Sequence, residues 1–207
     1  MYVRQFMTTQ VFTVSPYESI ADAMTLMRSK KIDCLPVLEK GKLVGFITDG
    51  DLREVSPSPA TSLSIFELNY LVPKTPIRQI AIKKVITCHP DMGIEDAAIL
   101  MREHKIGGLP VLEEDKLVGI ITSYDILEAF LDIMGSRSPG QRVVIERKDE
   151  KGVLLDIAAT FKQYDTNVAS FAFYHLKENK FQFLARLQGD QVSKIKTSLV
   201  EKGYIIR

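Results

Sequence analysis

Two decapeptides carry the side chains best suited to chemistry, Lys42-Leu43-Val44-Gly45-Phe46-Ile47-Thr48-Asp49-Gly50-Asp51 and Lys116-Leu117-Val118-Gly119-Ile120-Ile121-Thr122-Ser123-Tyr124-Asp125. In each, an apolar run broken by one glycine leads to a threonine and, three residues later, an aspartate. The pattern reads as a strand running into a helix N-terminus. Unpaired backbone N–H groups and partial positive charge at such a terminus suit a phosphate, and the threonine hydroxyl can donate to the same anion. The aspartate can accept from two neighbouring hydroxyls, as on a ribose. Together these groups fit a nucleotide. The spacing equally fits a structural role, because Asp51 with Glu54 and Asp125 with Glu128 stand as a capping box would. Spacing leaves both roles open, and one aspartate can serve both.

The elements that must hold these turns are legible around them. Val11-Phe12-Thr13-Val14 is a strand candidate, and Ser15-Pro16-Tyr17-Glu18 resembles a helix start with proline at its first position. Ile20, Ala23, Met24 and Met27 then share one helical face, as core rather than cofactor residues. Leu35-Pro36-Val37-Leu38 and Leu43 to Ile47 form a hairpin about Glu39-Lys40-Gly41-Lys42. Each copy is therefore β-α-β-β-α. The second follows at a fixed offset, Pro16 matching Pro90, Ile20 Ile94, Met27 Met101, Pro36 Pro110 and Gly45 Gly119. One such unit buries too little apolar surface to stand alone, so the copies should pack about a pseudo-twofold axis with clefts between them.

Between the copies, Ser56-Pro57-Ser58-Pro59-Ala60 interrupts regular structure, and Ser64 to Leu71 has helical spacing ended by Pro73 and Pro76. After Gly135, the stretch Ser136 to Gly140 reads as a linker. The remainder reads strand (Gln141 to Glu146), helix (Val153 to Tyr164), two strands (Asn167 to Tyr174, Lys180 to Leu187), helix (Val192 to Leu199) and a last strand (Tyr204 to Arg207). That is a βαββαβ, ferredoxin-like order.

The balance of 27 Lys+Arg against 26 Asp+Glu argues against a nucleic-acid partner or an anionic membrane. No apolar run approaches the roughly 20 residues that span a bilayer, which points to a cytoplasmic chain. Cys34 and Cys88 are isolated, as reduced thiols would be. His89, His104 and His175 lie at no metal-ligand spacing, and nucleophile or Walker motifs are lacking, so neither a metal nor catalysis is expected.

With these residues in view, the repeat resembles the cystathionine-β-synthase-type (CBS) domain, whose tandem pair forms a Bateman module, over about residues 1–134. The resemblance rests on the two Gly-hydrophobic-hydrophobic-Thr-x-x-Asp motifs, on Leu35-Pro36-Val37 and Leu109-Pro110-Val111, and on Val11-Phe12-Thr13 with Val85-Ile86-Thr87. It implies that the motif's Thr and Asp hold the ribose and phosphate of an adenine nucleotide (AMP, ADP or ATP), with no obligatory cofactor. Phe46, Thr48 and Asp51 would then pair with Ile106, Gly107, Gly108 and Pro110. Ile120, Thr122, Tyr124 and Asp125 would pair with Ile32, Asp33, Cys34 and Pro36. Asp33 would set negative charge near the second pocket where Gly107-Gly108 leaves room in the first, while Tyr124 could stack on a base; the Asp125 motif is favoured slightly.

The C-terminal part resembles the ACT domain through Asp149-Glu150-Lys151-Gly152-Val153-Leu154 and Thr166-Asn167-Val168. That likeness implies an amino-acid effector near Gly152, Val153, Leu154 and Asn167, and dimers through paired sheets, although Lys151 stands where the family often has proline. The layout as a whole resembles the AcuB type of acetoin-utilisation regulatory chain. The expected fold class is α+β: CBS repeats at 1–55 and 80–135, a linker with an extra helix at 56–79, a short linker at 136–141, and an ACT-like domain at 142–207. The expected function is nucleotide sensing by a homodimer that signals to a regulated protein. The alternative makes the repeats a dimerisation platform and gives sensing of an amino acid to the ACT-like domain.

Overall fold

A computed structural model describes residues 1–54, 75–177 and 179–207; the helix expected over Ser64 to Leu71 lies outside them. The chain divides into two compact units, Met1–Ile126 and Leu127–Arg207, the division falling inside a helix.

The first unit contains the duplication. Its first copy comprises α1 (Ile20–Lys30), β1 (Cys34–Glu39), β2 (Lys42–Thr48) and α2 (Asp49–Glu54); its second comprises α3 (Ile94–His104), β3 (Gly108–Glu113), β4 (Lys116–Thr122) and the start of α4 (Ser123–Ile133). Each strand pair is an antiparallel hairpin, with matching bulges at Val37/Leu38 and Val111/Leu112. Lys40 and Gly41 close the first hairpin and Glu114 and Asp115 the second, all four at positive φ, as a two-residue turn of the twist-matched kind requires.

The helix start differs from the expected one. Ser15 and Glu18 do pair, Ser15 N–H donating to Glu18 Oε1 at 2.8 Å, but they only fold a turn. Ser19 is the cap: its Oγ accepts from Asp22 N–H at 3.2 Å while Asp22 Oδ2 accepts from Ser19 N–H. Proline 16 is held outside the helix by its carbonyl, which accepts from Arg78 N–H at 3.0 Å. Similarly, the strand expected at Val11 to Val14 reduces to one bridge, Val14 to Val37, mirrored by Cys88 to Val111.

Each copy is completed by the segment that precedes the other. Thr8 exchanges two backbone hydrogen bonds with Ile120 at 2.9 and 3.0 Å, and Ile82 does the same with Phe46 at 2.9 and 3.0 Å. Val3 N–H donates to Met92 O as Ile77 N–H donates to Glu18 O. Every partner recurs 74 residues on, the Pro16-to-Pro90 offset, so the copies are related by a pseudo-twofold exchange. Ile77, fully buried, packs in the first copy's core with Ile20, Met27, Leu35 and Ile47. Burying a side chain of that kind is worth about 1.5–3 kcal/mol, which fixes the exchanged segments in place.

The motif glycines make room for this exchange. A Cβ on Gly45 would stand 3.2 Å from the Ala81 Cβ and 3.3 Å from the Ile82 carbonyl oxygen; one on Gly119 would stand 2.6 Å from Met7 Sδ and 3.2 Å from the Thr8 carbonyl oxygen.

The second unit, after the remainder of α4, holds β5 (Gln141–Lys148), α5 (Val153–Gln163), β6 (Asn167–Leu176), β7 (Lys180–Gln188), α6 (Val192–Glu201) and β8 (Ile205–Ile206). Its sheet has the order β6-β7-β5-β8 with antiparallel neighbours. This is the βαββαβ order read from the sequence, with the first strand central as in ferredoxin-like folds. Val143, Ile145, Phe181 and Phe183 of the sheet meet Ile157, Phe161, Ile195 and Leu199 of the helices in one core. A polar cluster closes its edge: Tyr204 Oη donates to Asp156 Oδ2 at 2.7 Å, and Lys202 Nζ reaches Asp156 Oδ1 at 3.0 Å and Thr160 Oγ1 at 2.9 Å.

Candidate functional site

The two Thr-x-x-Asp motifs fold alike. Thr48 N–H and Oγ1–H both donate to Asp51 Oδ2 at 2.7 Å, and Asp51 N–H returns a bond to Thr48 Oγ1 at 3.2 Å. In the second copy Thr122 N–H and Oγ1–H donate to Asp125 Oδ2 at 2.6 and 2.8 Å. The threonine is thus the cap and the aspartate stands at the third helical position, a capping box shifted by three residues from the one the sequence suggested. Asp125 does not cap toward Glu128, which is instead tied to Arg137 by an ion pair at 2.6 Å.

Capping does not close the site. Both motifs lie on the wall of an open cleft of about 920 Å³ within the first unit, at the upper end of the roughly 300–1,000 Å³ typical of small-molecule sites. Phe46, Thr48 and Asp51 line it together with Ile106, Gly107 and Gly108; Ile120, Thr122, Tyr124 and Asp125 line it together with Ile32, Asp33 and Cys34. Pro36 and Pro110 are not on this wall. Both are buried, and their carbonyls accept from Val14 and Cys88 N–H at 3.1 Å, holding the preceding segments against the hairpins.

The two halves meet near the pseudo-twofold axis. β2 and β4 approach each other there, and a Cβ on Gly108 would stand 3.3 Å from Cys34 Sγ and 3.7 Å from the tip of the Phe46 ring. Burial, and then the charges of Asp33 and Asp125, push the Cys34 thiol up to about 11. The Asp33 carbonyl accepts from Asp49 N–H at 2.8 Å and the Gly107 carbonyl from Ser123 N–H at 2.9 Å, so each of these segments is held to its own copy's motif. By contrast, Gly107 has nothing within 4 Å of an added Cβ and opens onto free space.

Several lining residues went unrecognised in the sequence. Lys31 and Lys105 end α1 and α3 in the left-handed region, at φ 54° and 55°, and line the cleft, as does Lys84. Among the described residues none of the three lysines is in a salt bridge. Phe12 and Ile82, each 41% exposed, and Tyr124, 70% exposed, give the same cleft apolar surface open to solvent. Ile82 and Lys84 were findable by extending the repeat toward the N-terminus, where Val3-Arg4-Gln5 matches Ile77-Arg78-Gln79, and Lys31 and Lys105 by the same 74-residue offset; Tyr124 is the one of these named as a site residue from the sequence.

The family model described as "CBS domain" matches residues 3–58 and 77–132, more than half of the sequence. The chain belongs to the CBS-domain family. Its first unit is a tandem CBS pair. The CBS domain-containing protein YhcV of Bacillus subtilis is 33% identical over 124 residues, 60% of this chain and 81% of that protein. The crystal structure of a putative acetoin utilization protein (AcuB) from Vibrio cholerae is similar with a TM-score of 0.56 at 28% identity, covering 68% of this chain and 98% of that one. The structure of CBSX2 in complex with AMP gives a TM-score of 0.53 at 30% identity, covering 64% of this chain and 97% of that one.

In the second unit, the candidate effector residues are placed as follows. Gly152, at φ +90°, makes the turn into α5; Val153 is buried in the core; Leu154 is half exposed; Asn167 Nδ2 donates to Gln188 Oε1 at 2.7 Å. Among the described residues no helix is long and apolar enough to cross a membrane.

Proposed function

We propose that the CBS pair is a sensor that binds an adenine nucleotide (AMP, ADP or ATP) in the cleft between its copies, and that the chain is a cytoplasmic, homodimeric regulator rather than an enzyme. The observation that carries this reading is the convergence on one cleft of both Thr-x-x-Asp motifs, solvent-open apolar side chains and lysines that, among the described residues, are in no salt bridge. The apolar surfaces offer faces to a base, the carboxylates accept from ribose hydroxyls, and the lysines attract phosphate. The solved likeness with AMP bound supports the choice of ligand class.

The signal would pass as a difference in nucleotide affinity between two arrangements of the chain or its dimer, and can be no larger than that difference. We assign the C-terminal unit to the ACT type on its strand order, with Gly152, Val153, Leu154 and Asn167 as the effector turn and an amino acid as effector; Gly152 would offer its backbone there. In this reading the second unit conveys the state of the CBS pair to a regulated protein.

Thermal melting of the full chain with AMP, ADP, ATP and adenosine tests the reading. A ligand at about a hundredfold over its Kd adds roughly 2.7 kcal/mol, a rise of several degrees. No rise with any of the four at millimolar concentration overturns it.

A further inference from the structure

The two Thr-x-x-Asp turns start helices of different reach. Among the described residues α2, Asp49–Glu54, stays within the first unit, whereas α4, Ser123–Ile133, begins in the first unit and continues into the second after Ile126. Between Ser123 and Ile133 there is no glycine or proline at which α4 could bend. Glu128 and Asp132, like charges one turn apart, are held together by Arg137, whose Nη1 lies 2.6 and 3.8 Å from their carboxylates.

The far end of α4 is pinned to the second unit's sheet. Gly135, at φ +60°, closes the helix: its N–H donates to Asp132 O and Ser136 N–H donates to Leu131 O, both at 3.0 Å. Met134 O accepts from Ser170 Oγ–H at 3.0 Å. Gly135 is buried, and a Cβ there would collide with Ser170 Oγ, so the end of α4 bears directly on β6. The residues that follow are fixed as well, since Gln188 Nε2 donates to Pro139 O at 3.2 Å and Arg186 Nη1 to Gly140 O at 3.1 Å. Ser170 stands where the β6–β7 register slips, and β6 is an edge strand with only β7 beside it. The ladder is thus locally interrupted at the point where α4 presses on it.

We propose that α4 is the element by which the CBS pair is read: a ligand on the Asp125 motif changes the set of β6, and a ligand on the Asp51 motif alone does not. The proposal rests on the nucleotide-sensing reading and deepens it. Asp125 Oδ2 takes both Thr122 donors and so fixes the first turn of α4. A ribose hydroxyl donating to that carboxylate draws on the same charge, which loosens the Thr122 cap and lets the first turn move. Helix shifts of about 1–2 Å suffice in ordinary switching transitions. An unbroken helix carries such a shift to its other end, where Met134 and Gly135 hand it to Ser170. The response of β6 is bounded by the difference in ligand affinity between the two settings of α4.

Hydrogen exchange of the full chain, read by mass spectrometry with and without AMP, tests this, with calorimetry reporting whether AMP binds. In the wild type AMP should change exchange in both α4 and β6 by at least about fivefold, the low end of ordinary couplings between sites. Ser170→Ala, outside the cleft, should bind AMP as the wild type does and keep the α4 change while losing most of the β6 change. Asp125→Asn should silence β6 even where AMP still binds at the Asp51 motif, and Asp51→Asn should leave β6 responsive. AMP binding with β6 unmoved in the wild type, a full β6 response in Ser170→Ala or Asp125→Asn, or its loss in Asp51→Asn overturns the proposal and leaves the nucleotide reading standing. No AMP binding by the wild type overturns both.

Discussion

Cys34 and Gly108 occupy the same position of the repeat and face each other across the pseudo-twofold axis, with the thiol sulfur 3.3 Å from where a Gly108 Cβ would be. One copy supplies the sulfur, and the other supplies the space for it. Gly108→Val should overpack this point and cost about 1–3 kcal/mol, and Cys34→Ala should recover most of that loss in the double variant. Urea unfolding of the two single variants and the double variant checks it; additive costs would mean that the two positions do not share one space.

The Cys34 thiol, pushed up to about 11 by burial and by Asp33 and Asp125, should alkylate slowly at neutral pH. In a Cys88→Ser background, the iodoacetamide rate should rise about tenfold per pH unit from 8 to 10 without levelling near 9. Asp125→Asn should speed it, and bound AMP should slow it. The same shift bears on stability. Between pH 9 and about 11 the unfolded chain releases a thiol proton that the folded chain keeps, so stability falls as pH rises through that window. Cys88, also pushed up to about 11 by burial, adds to the effect.

In the second unit, the Tyr204 hydroxyl and the Lys202 ammonium hold the Asp156 carboxyl below the usual carboxylate range. Its contribution is therefore present above that range and lost as pH falls through it. Asp156→Asn should flatten the acid limb of the stability curve, and because the side chain is 40% exposed the difference should shrink in high salt. Tyr204→Phe, which strips a bond to a charged acceptor from a residue only 3% exposed, should cost about 1–3 kcal/mol at pH 7 by chemical denaturation.

Two glycines of the CBS pair separate stability from binding. Gly119→Ala presses on Met7 and on the Thr8 carbonyl, so it should loosen the exchanged N-terminal segment and lower Tm by several degrees. Gly107→Leu meets nothing within 4 Å, so it should leave Tm nearly unchanged while filling part of the cleft and weakening AMP binding. Thermal melting and calorimetry on both variants distinguish the two effects.

The sequence made much of this visible because duplication writes the same physics twice. The Thr-x-x-Asp turns, the hairpins and the C-terminal βαββαβ order all have local signatures: alternation, capping spacing and turn residues. The exchange of segments 1–8 and 75–82 does not, because Thr8–Ile120 pairing is a long-range backbone contact with no local pattern. Ser15-Pro16-Tyr17-Glu18 misled by carrying a complete capping signature one turn before the true cap, Ser19. Pro36 and Pro110 share a strand face with the lining residues Cys34 and Gly108 and pair with Phe46 and Ile120, so alternation alone places them on the cleft; they are instead buried where the Val14 and Cys88 segments bond to their carbonyls. Lys31 and Lys105 stand 74 residues apart, at one position of the repeat, but Lys84 matches Gln10 and not a lysine, so only the packing of the two copies gathers the three.

The central claim is that the cleft between the CBS copies holds a nucleotide, and a crystal structure grown with saturating AMP tests it most directly. The account predicts the nucleotide in that cleft, with a ribose hydroxyl about 2.6–3.2 Å from the carboxylate of Asp51 or Asp125 and the phosphate beside Lys84 or Lys105. AMP bound elsewhere on the chain, with Asp51 and Asp125 engaged only by Thr48 and Thr122, would contradict it.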